Sequence, residues 1–179
     1  MSRLVIGLGC RGCGDDGVGP AVAGAVEELR LPGVHVAAVE DPAGLVPLWG
    51  TADVAVVVDA IAAGGPPGSI TVLDLTDGAL SGVGPGVPDG AWMRGGVGRY
   101  AFGLAAAVQL GRALHRLPGR LVLVGVEGTA FARREGLSAA VAAAVGPAAR
   151  AVAGLVSLQT ALQTAGSGGG LRPEHLEGW

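Results

Sequence analysis

Neither lysine nor asparagine occurs in the 179 residues, and the aromatic side chains amount to two Phe, three Trp and one Tyr. Without lysine, all twelve cationic side chains are arginines; they form no basic run, and the net charge is −3. That excludes the electrostatic footprint of a nucleic-acid or anionic-membrane binder. The missing residue types, set against 34 glycines and abundant alanine, match a GC-rich coding bias. Arginine in place of lysine therefore carries no functional meaning here. Only two cysteines are present, three positions apart. This rules out a secretory disulfide framework, and a lone CxxC lacks the second half of a structural zinc site. Met1 to Ile6 holds too short an apolar stretch for a signal-peptide core or a membrane span, so the cytoplasm is the expected compartment.

Half of the residues are hydrophobic, and the length suits one well-cored domain, expected over residues 1–165 with a flexible tail over 166–179. Arg3 to Leu8 reads as a buried strand stopped by glycine. Pro20 opens a helix in which Val22, Val26 and Leu29 recur at helical spacing, ending by Leu31-Pro32-Gly33. Val34 to Val39 is a second strand, Pro42 to Trp49 a short helix, and Val54 to Asp59 an apolar run suited to a central strand covered on both faces. Ser69 to Leu75 alternates as a strand near an edge does. Residues 77 to 99 read as a long glycine-rich loop, followed by a helix from Tyr100 to Arg116 and a strand from Arg120 to Val126. From Leu137 the pattern is helical again, with Gly146-Pro147 dividing or kinking it. Strands alternating with helices give an α/β fold: a three-layer α/β/α sandwich with a mostly parallel central sheet of about five strands. In such sheets ligands gather at the carboxyl ends of the strands, where Asp15, Asp16 and Asp59 fall.

The loop Gly7-Leu8-Gly9-Cys10-Arg11-Gly12-Cys13-Gly14-Asp15-Asp16 admits three chemistries. Gly7 to Gly12 matches GxGxxG after a strand, and Glu40 or Asp41 follows where a ribose-binding acid sits. The loop runs on too far before its helix, however, and two aspartates at the helix start repel phosphate, so no nucleotide cofactor is expected. Cys10 and Cys13 are either a redox pair or two small residues packed in a tight loop. Asp15 reads as a cap on its own helix. Asp16 and Asp59, two acids from different strand ends at the mouth of an apolar sheet, suit a cation or a catalytic role.

The sequence resembles the NiFe-hydrogenase maturation endopeptidases over roughly residues 3 to 160 (on the order of one domain). The likeness rests on Gly7-Leu8-Gly9 with Asp15-Asp16-Gly17-Val18-Gly19, on Val57-Val58-Asp59-Ala60 with the Pro67-Gly68 turn, on Pro118 to Glu127, and on Gly136-Leu137-Ser138 ahead of a helix interrupted by Pro147. The resemblance implies a cytoplasmic, monomeric protease that trims the carboxyl-terminal extension of a hydrogenase large-subunit precursor, or a similar metalloprotein, after nickel insertion. The nickel, or another divalent metal, is carried by the substrate and contacted by Asp16 and Asp59, which are the implied catalytic and metal-binding residues. The family's third contact, a histidine, corresponds to Tyr100, and a phenol is a poorer ligand than imidazole for a borderline divalent metal. Cys10 stands in place of an asparagine, and Glu40-Asp41-Pro42 in place of a Gly-Gly-Thr type turn. These changes imply an altered metal site lined by Tyr100, Asp41, Cys10 and Cys13, with the thiols as candidate soft ligands. The alternative is a noncatalytic binding or chaperone relative on the same fold.

Overall fold

Short β-branched and aliphatic runs make the strands of the computed structural model, which describes residues 2–76, 101–132 and 136–167. The strands are β1 (Arg3–Leu8), β2 (Val34–Val39), β3 (Val54–Ile61), β4 (Ile70–Asp74) and β5 (Arg120–Glu127). They form one sheet in the order β2-β1-β3-β5-β4. β2, β1, β3 and β5 run parallel, and β4 lies antiparallel on β5 at the edge. The helices are α1 (Val18–Glu28), α2 (Leu45–Trp49), α3 (Ala101–Ala113) and α4 (Ala139–Ser167). This is the expected α/β fold. The loop expected over 77–99, with Tyr100, lies outside the described residues; of the tail expected over 166–179, residues 166 and 167 belong to α4 and the rest lie outside them as well.

The period-two geometry of strands sends alternate side chains to opposite faces. One face packs Val56, Val58, Val122 and Val124 against Val22 of α1 and Val141 and Val152 of α4. The other packs Ile6, Leu8, Val57 and Leu123 against Leu45 and Trp49 of α2 and Leu104 and Val108 of α3. The α1/α4 layer is built almost wholly of valine and alanine, and the α2/α3 layer holds the larger leucines and the buried indole.

Two helix boundaries differ from the sequence expectation. α3 stops at Ala113 rather than Arg116, because His115 turns left-handed (φ 51°) and the N–H groups of His115 and Arg116 bond back to the carbonyls of Arg112 (3.1 Å) and Gly111 (2.7 Å). This is a Schellman closure. α4 is one helix from Ala139 to Ser167 with Pro147 inside it, so Gly146-Pro147 does not divide it. Ala143, Gly146 and Pro147 are all exposed. The carbonyl that Pro147 cannot serve, four residues back at Ala143, thus belongs to the solvent-facing side of the helix, where leaving it without a helical donor costs least. The stretch Ala139–Ser157 is apolar and long enough to cross a membrane by composition, but Val141, Val152 and Val156 on it belong to the core.

The first turn of α1 lies directly on the sheet. A Cβ added to Gly19 would stand 2.1 Å from the Leu8 carbonyl oxygen and 2.5 Å from that of Val58, and one added to Gly7 would stand 2.3 Å from the Gly19 oxygen. These are backbone atoms of β1, β3 and α1, which cannot swing aside. Gly24, in the same helix, has nothing within 4 Å of such a Cβ. Gly19→Ala is expected to cost roughly 2 kcal/mol or more through overpacking, whereas Gly24→Ala should stabilise by about 0.5–1 kcal/mol through helix propensity. Urea denaturation of the two variants measures both; equal effects would contradict the close approach at Gly19.

Candidate active site

β1 hands the chain over to β2 on one side and pairs with β3 on the other, so the carboxyl ends of β1 and β3 form the crevice where α/β sheets bind ligands. β1 pairs with β3 up to Gly7 opposite Val58. Asp59 is the next residue of β3, just past that pairing. After Leu8, Gly9 takes φ 130°, and a Cβ there would lie 2.0 Å from the Asp16 carbonyl oxygen. Only glycine permits this return of the loop, which brings Asp16 back over the end of β1.

The structure brings Asp16 and Asp59 together as interacting charges. Each is 7% exposed. Asp16 accepts a hydrogen bond from the Cys10 N–H at 2.8 Å. Burial raises its pKa above the ordinary carboxylate value, the Cys10 N–H opposes the rise and the negative charge of Glu40 adds to it. The pKa of Asp59 is raised well above the ordinary value, first by burial and then by the charge of Asp16, with a hydrogen bond from the Ala60 backbone acting the other way. Two desolvated anions that repel each other are stabilised by a proton or a cation. Their carboxylate oxygens suit a divalent metal as two members of a ligand set. Among the described residues, no group of three or more His, Cys, Asp or Glu side chains could hold a metal ion.

The other candidates are placed as follows. Cys10 and Cys13 are both partly exposed and are not joined in a disulfide. Asp41 is exposed and caps the 3-10 turn Pro42–Gly44, its Oδ1 accepting from the Ala43 N–H at 2.9 Å. In this segment it is Glu40 whose charge is felt at Asp16. Tyr100 and His175 lie outside the described residues, and His35 and His115 are exposed on β2 and at the end of α3.

Asp15 does not cap its own helix; neither the turn Gly14–Gly17 nor α1 has a side-chain cap. Its fully buried carboxylate turns instead to the loop after β5. Oδ2 accepts from the N–H groups of Thr129 and Ala130, both at 2.9 Å, and from the Ser138 hydroxyl at 3.0 Å; Oδ1 accepts from the Ser138 N–H at 2.7 Å. The Asp15 N–H donates to the Ala130 carbonyl at 2.7 Å, and the Ser138 carbonyl accepts the first bond of α4, from Ala142. Asp15 thus caps α4, whose positive dipole end favours the carboxylate. Ser138 lies 123 positions from Asp15, so this partner is invisible to local reading. Sequence reasoning also missed Glu127. This 4% exposed acid accepts from the Ala63 N–H at 3.1 Å and the Gly64 N–H at 2.8 Å, clamping the turn after β3. The available signal was a carboxylate ending an otherwise apolar strand.

The neighbouring acids should therefore respond to pH in opposite ways. Burial alone would raise the Asp15 pKa, but its hydrogen bonds outweigh burial and hold it below the ordinary 3.8. A depressed folded-state pKa gives stability that is present above 3.8 and lost as pH falls through the folded value. Asp59 has the reverse sign: its stability contribution is present below 3.8 and lost as pH rises through its raised value. At neutral pH, Asp15→Asn is expected to destabilise by about 1–3 kcal/mol, since buried donors lose their acceptor, and Asp59→Asn to raise the melting temperature. Both differences should shrink in acid. Thermal unfolding between neutral and acid pH checks this, and a stabilising Asp15→Asn would contradict it.

No protein-family model and no curated protein sequence matches the chain. Solved structures do match. An endopeptidase from Escherichia coli, determined in solution, is 23% identical with a TM-score of 0.72, over 85% of this chain and 90% of that one. The hydrogenase maturating endopeptidase HybD from E. coli is 22% identical with a TM-score of 0.69, over 90% and 94%. The hydrogenase 2 maturation peptidase from Thaumarchaeota archaeon SCGC_AB-539-E09 is 24% identical with a TM-score of 0.61, over 88% and 99%. At these identities the likeness is one of architecture, and it extends over nearly the full length of each neighbour: the chain has the fold of the NiFe-hydrogenase maturation endopeptidases.

Proposed function

We propose that the protein is a divergent maturation endopeptidase, cytoplasmic and monomeric, that removes the carboxyl-terminal extension of a NiFe-hydrogenase large-subunit precursor or a similar metalloprotein. The observation that carries this reading is the buried Asp16–Asp59 pair at the switch-point crevice, on a fold shared with peptidases of that kind. Two carboxylates destabilised by each other bind a divalent cation better than they bind nothing, so a precursor that carries its metal is recognised over one that does not. Asp16 and Asp59 contribute oxygen ligands to that metal, and the precursor supplies the rest. Burial raises both acids above the ordinary carboxylate range, and the charge of Asp16 adds to the rise at Asp59, so the pair takes up a proton more readily than free carboxylates when no metal is near. Peptide hydrolysis then adds water across one amide bond and releases the extension.

The absence of a third ligating side chain among the described residues favours a second reading, a relative that binds the metal-loaded precursor without cutting it. One experiment separates the two. The protein is incubated with nickel-loaded and nickel-free large-subunit precursor, and intact mass and complex formation are followed together. Loss of the extension from the loaded precursor alone is the expected result. Asp16→Ala and Asp59→Ala should each lower the cleavage rate by on the order of 100-fold or more, as loss of a principal electrostatic contact does. Complex formation without cleavage would establish the noncatalytic reading, and equal cleavage of both precursors would refute metal recognition.

A further inference from the structure

The dithiol Cys10/Cys13, a candidate soft-ligand pair in the sequence reading, is not used in the cleavage proposed above. Both cysteines are partly exposed, Arg11 and Gly12 between them are exposed, and a Cβ on Gly12 would meet nothing within 4 Å. The turn is open at its Gly12 corner, and its base packs on Gly17, where a Cβ would lie 3.4 Å from the Cys10 and Arg11 carbonyl oxygens. A hydrogen bond closes it: the Cys13 N–H donates to the Cys10 carbonyl at 3.1 Å. Neither Arg11 nor Gly12 has a positive φ, and no peptide bond is cis, which leaves a type I-like turn. Such a turn brings the first and fourth Cα atoms to within about 7 Å, and disulfides span about 4.4–6.8 Å between Cα atoms. The turn therefore sets the two Cα atoms at a separation that a disulfide can span, on two residues that are partly exposed.

The same turn holds Asp16 at two points. The Cys10 N–H donates to the Asp16 carboxylate at 2.8 Å, and the Asp16 N–H donates to the Cys13 carbonyl at 3.4 Å. We infer that Cys10 and Cys13 form a thiol–disulfide exchange site, open to low-molecular-weight disulfides, whose oxidation state is transmitted to Asp16 through these two backbone hydrogen bonds. In the first step one cysteine thiolate attacks a disulfide RSSR, forming a protein–SR mixed disulfide and releasing RS⁻. In the second, the other thiolate attacks the protein sulfur of that mixed disulfide, forming the Cys10–Cys13 bond and releasing a second RS⁻. The two cysteines lose two electrons and two protons, and RSSR is reduced to two RSH. The site is independent of whether the protein cleaves a precursor.

The test equilibrates the full chain in buffers of reduced and oxidised glutathione, quenches with an alkylating agent and reads intact and peptide masses. The expected result is a two-state change from two alkylated thiols to none, with a Cys10–Cys13 cross-linked peptide and a mass lower by two hydrogens. Cys10→Ser and Cys13→Ser, near-isosteric changes, should each stop at a single glutathione adduct. Stable adducts on both cysteines of the parent chain, or no reaction at all, would overturn the exchange site. Amide hydrogen exchange at Cys10 and Asp16, measured by NMR on both forms, reads the transmission. A several-fold difference between the forms that Cys13→Ser abolishes is expected, and identical rates would refute the link to Asp16.

Discussion

The approach of α1 to the sheet without intervening side chains is the constraint on which the rest of the structure depends. Gly7 and Gly19 place backbone against backbone where β1, β3 and α1 meet, so the loop between β1 and α1 has to double back within a few residues. Gly9 makes that reversal in a conformation that side chains rarely adopt. The result is that Asp16, which follows β1, arrives beside Asp59, the first residue of β3 past its pairing with β1.

Consecutive aspartates then acquire opposite characters from where their side chains go. Asp15 turns into a ring of donors from the loop after β5 and behaves as a structural anion that ties the start of α4 to the turn leading into α1. Asp16 turns into the crevice, receives one backbone donor and faces two other acids, Asp59 and Glu40. The first is a satisfied charge that stabilises the fold; the second is a frustrated charge, and frustration of this kind marks sites that hold cations or protons. Glu127 repeats the structural case on the neighbouring strand, where it holds the turn after Asp59 in place. The frustrated pair is thus framed by two buried carboxylates whose hydrogen bonds fix the loops around it.

Most of the architecture could be read from local pattern. The runs at β1, β2, β3 and β5 are apolar, β-branched and sharply bounded, and the alternation at β4 marks an edge. Helix ends were less legible, because the closure at His115 depends on backbone geometry rather than on a glycine, and α4 passes through Pro147 where its outer side is wet. Asp16 and Asp59 could be picked out as acids from two different strand ends, and the structure brings them together as a buried pair, whereas Glu127, which also ends an apolar strand, serves a turn. The partner of Asp15 was not legible, since Ser138 lies 123 positions away and only the sheet order brings it near. Glu40 was grouped with Asp41 by sequence, and the electrostatics separate them: Asp41 is spent on a turn and Glu40 acts on the crevice.

The claim that the glycine-mediated approach creates a coupled pair of buried acids is tested most directly by NMR titration of the Asp59 side-chain carboxyl carbon in the parent protein and in Asp16→Asn. The account predicts that Asp59 titrates well above the ordinary carboxylate range in the parent and at a distinctly lower pH once the charge of Asp16 is removed. An Asp59 that titrates in the ordinary range, or whose midpoint ignores the substitution, would contradict it.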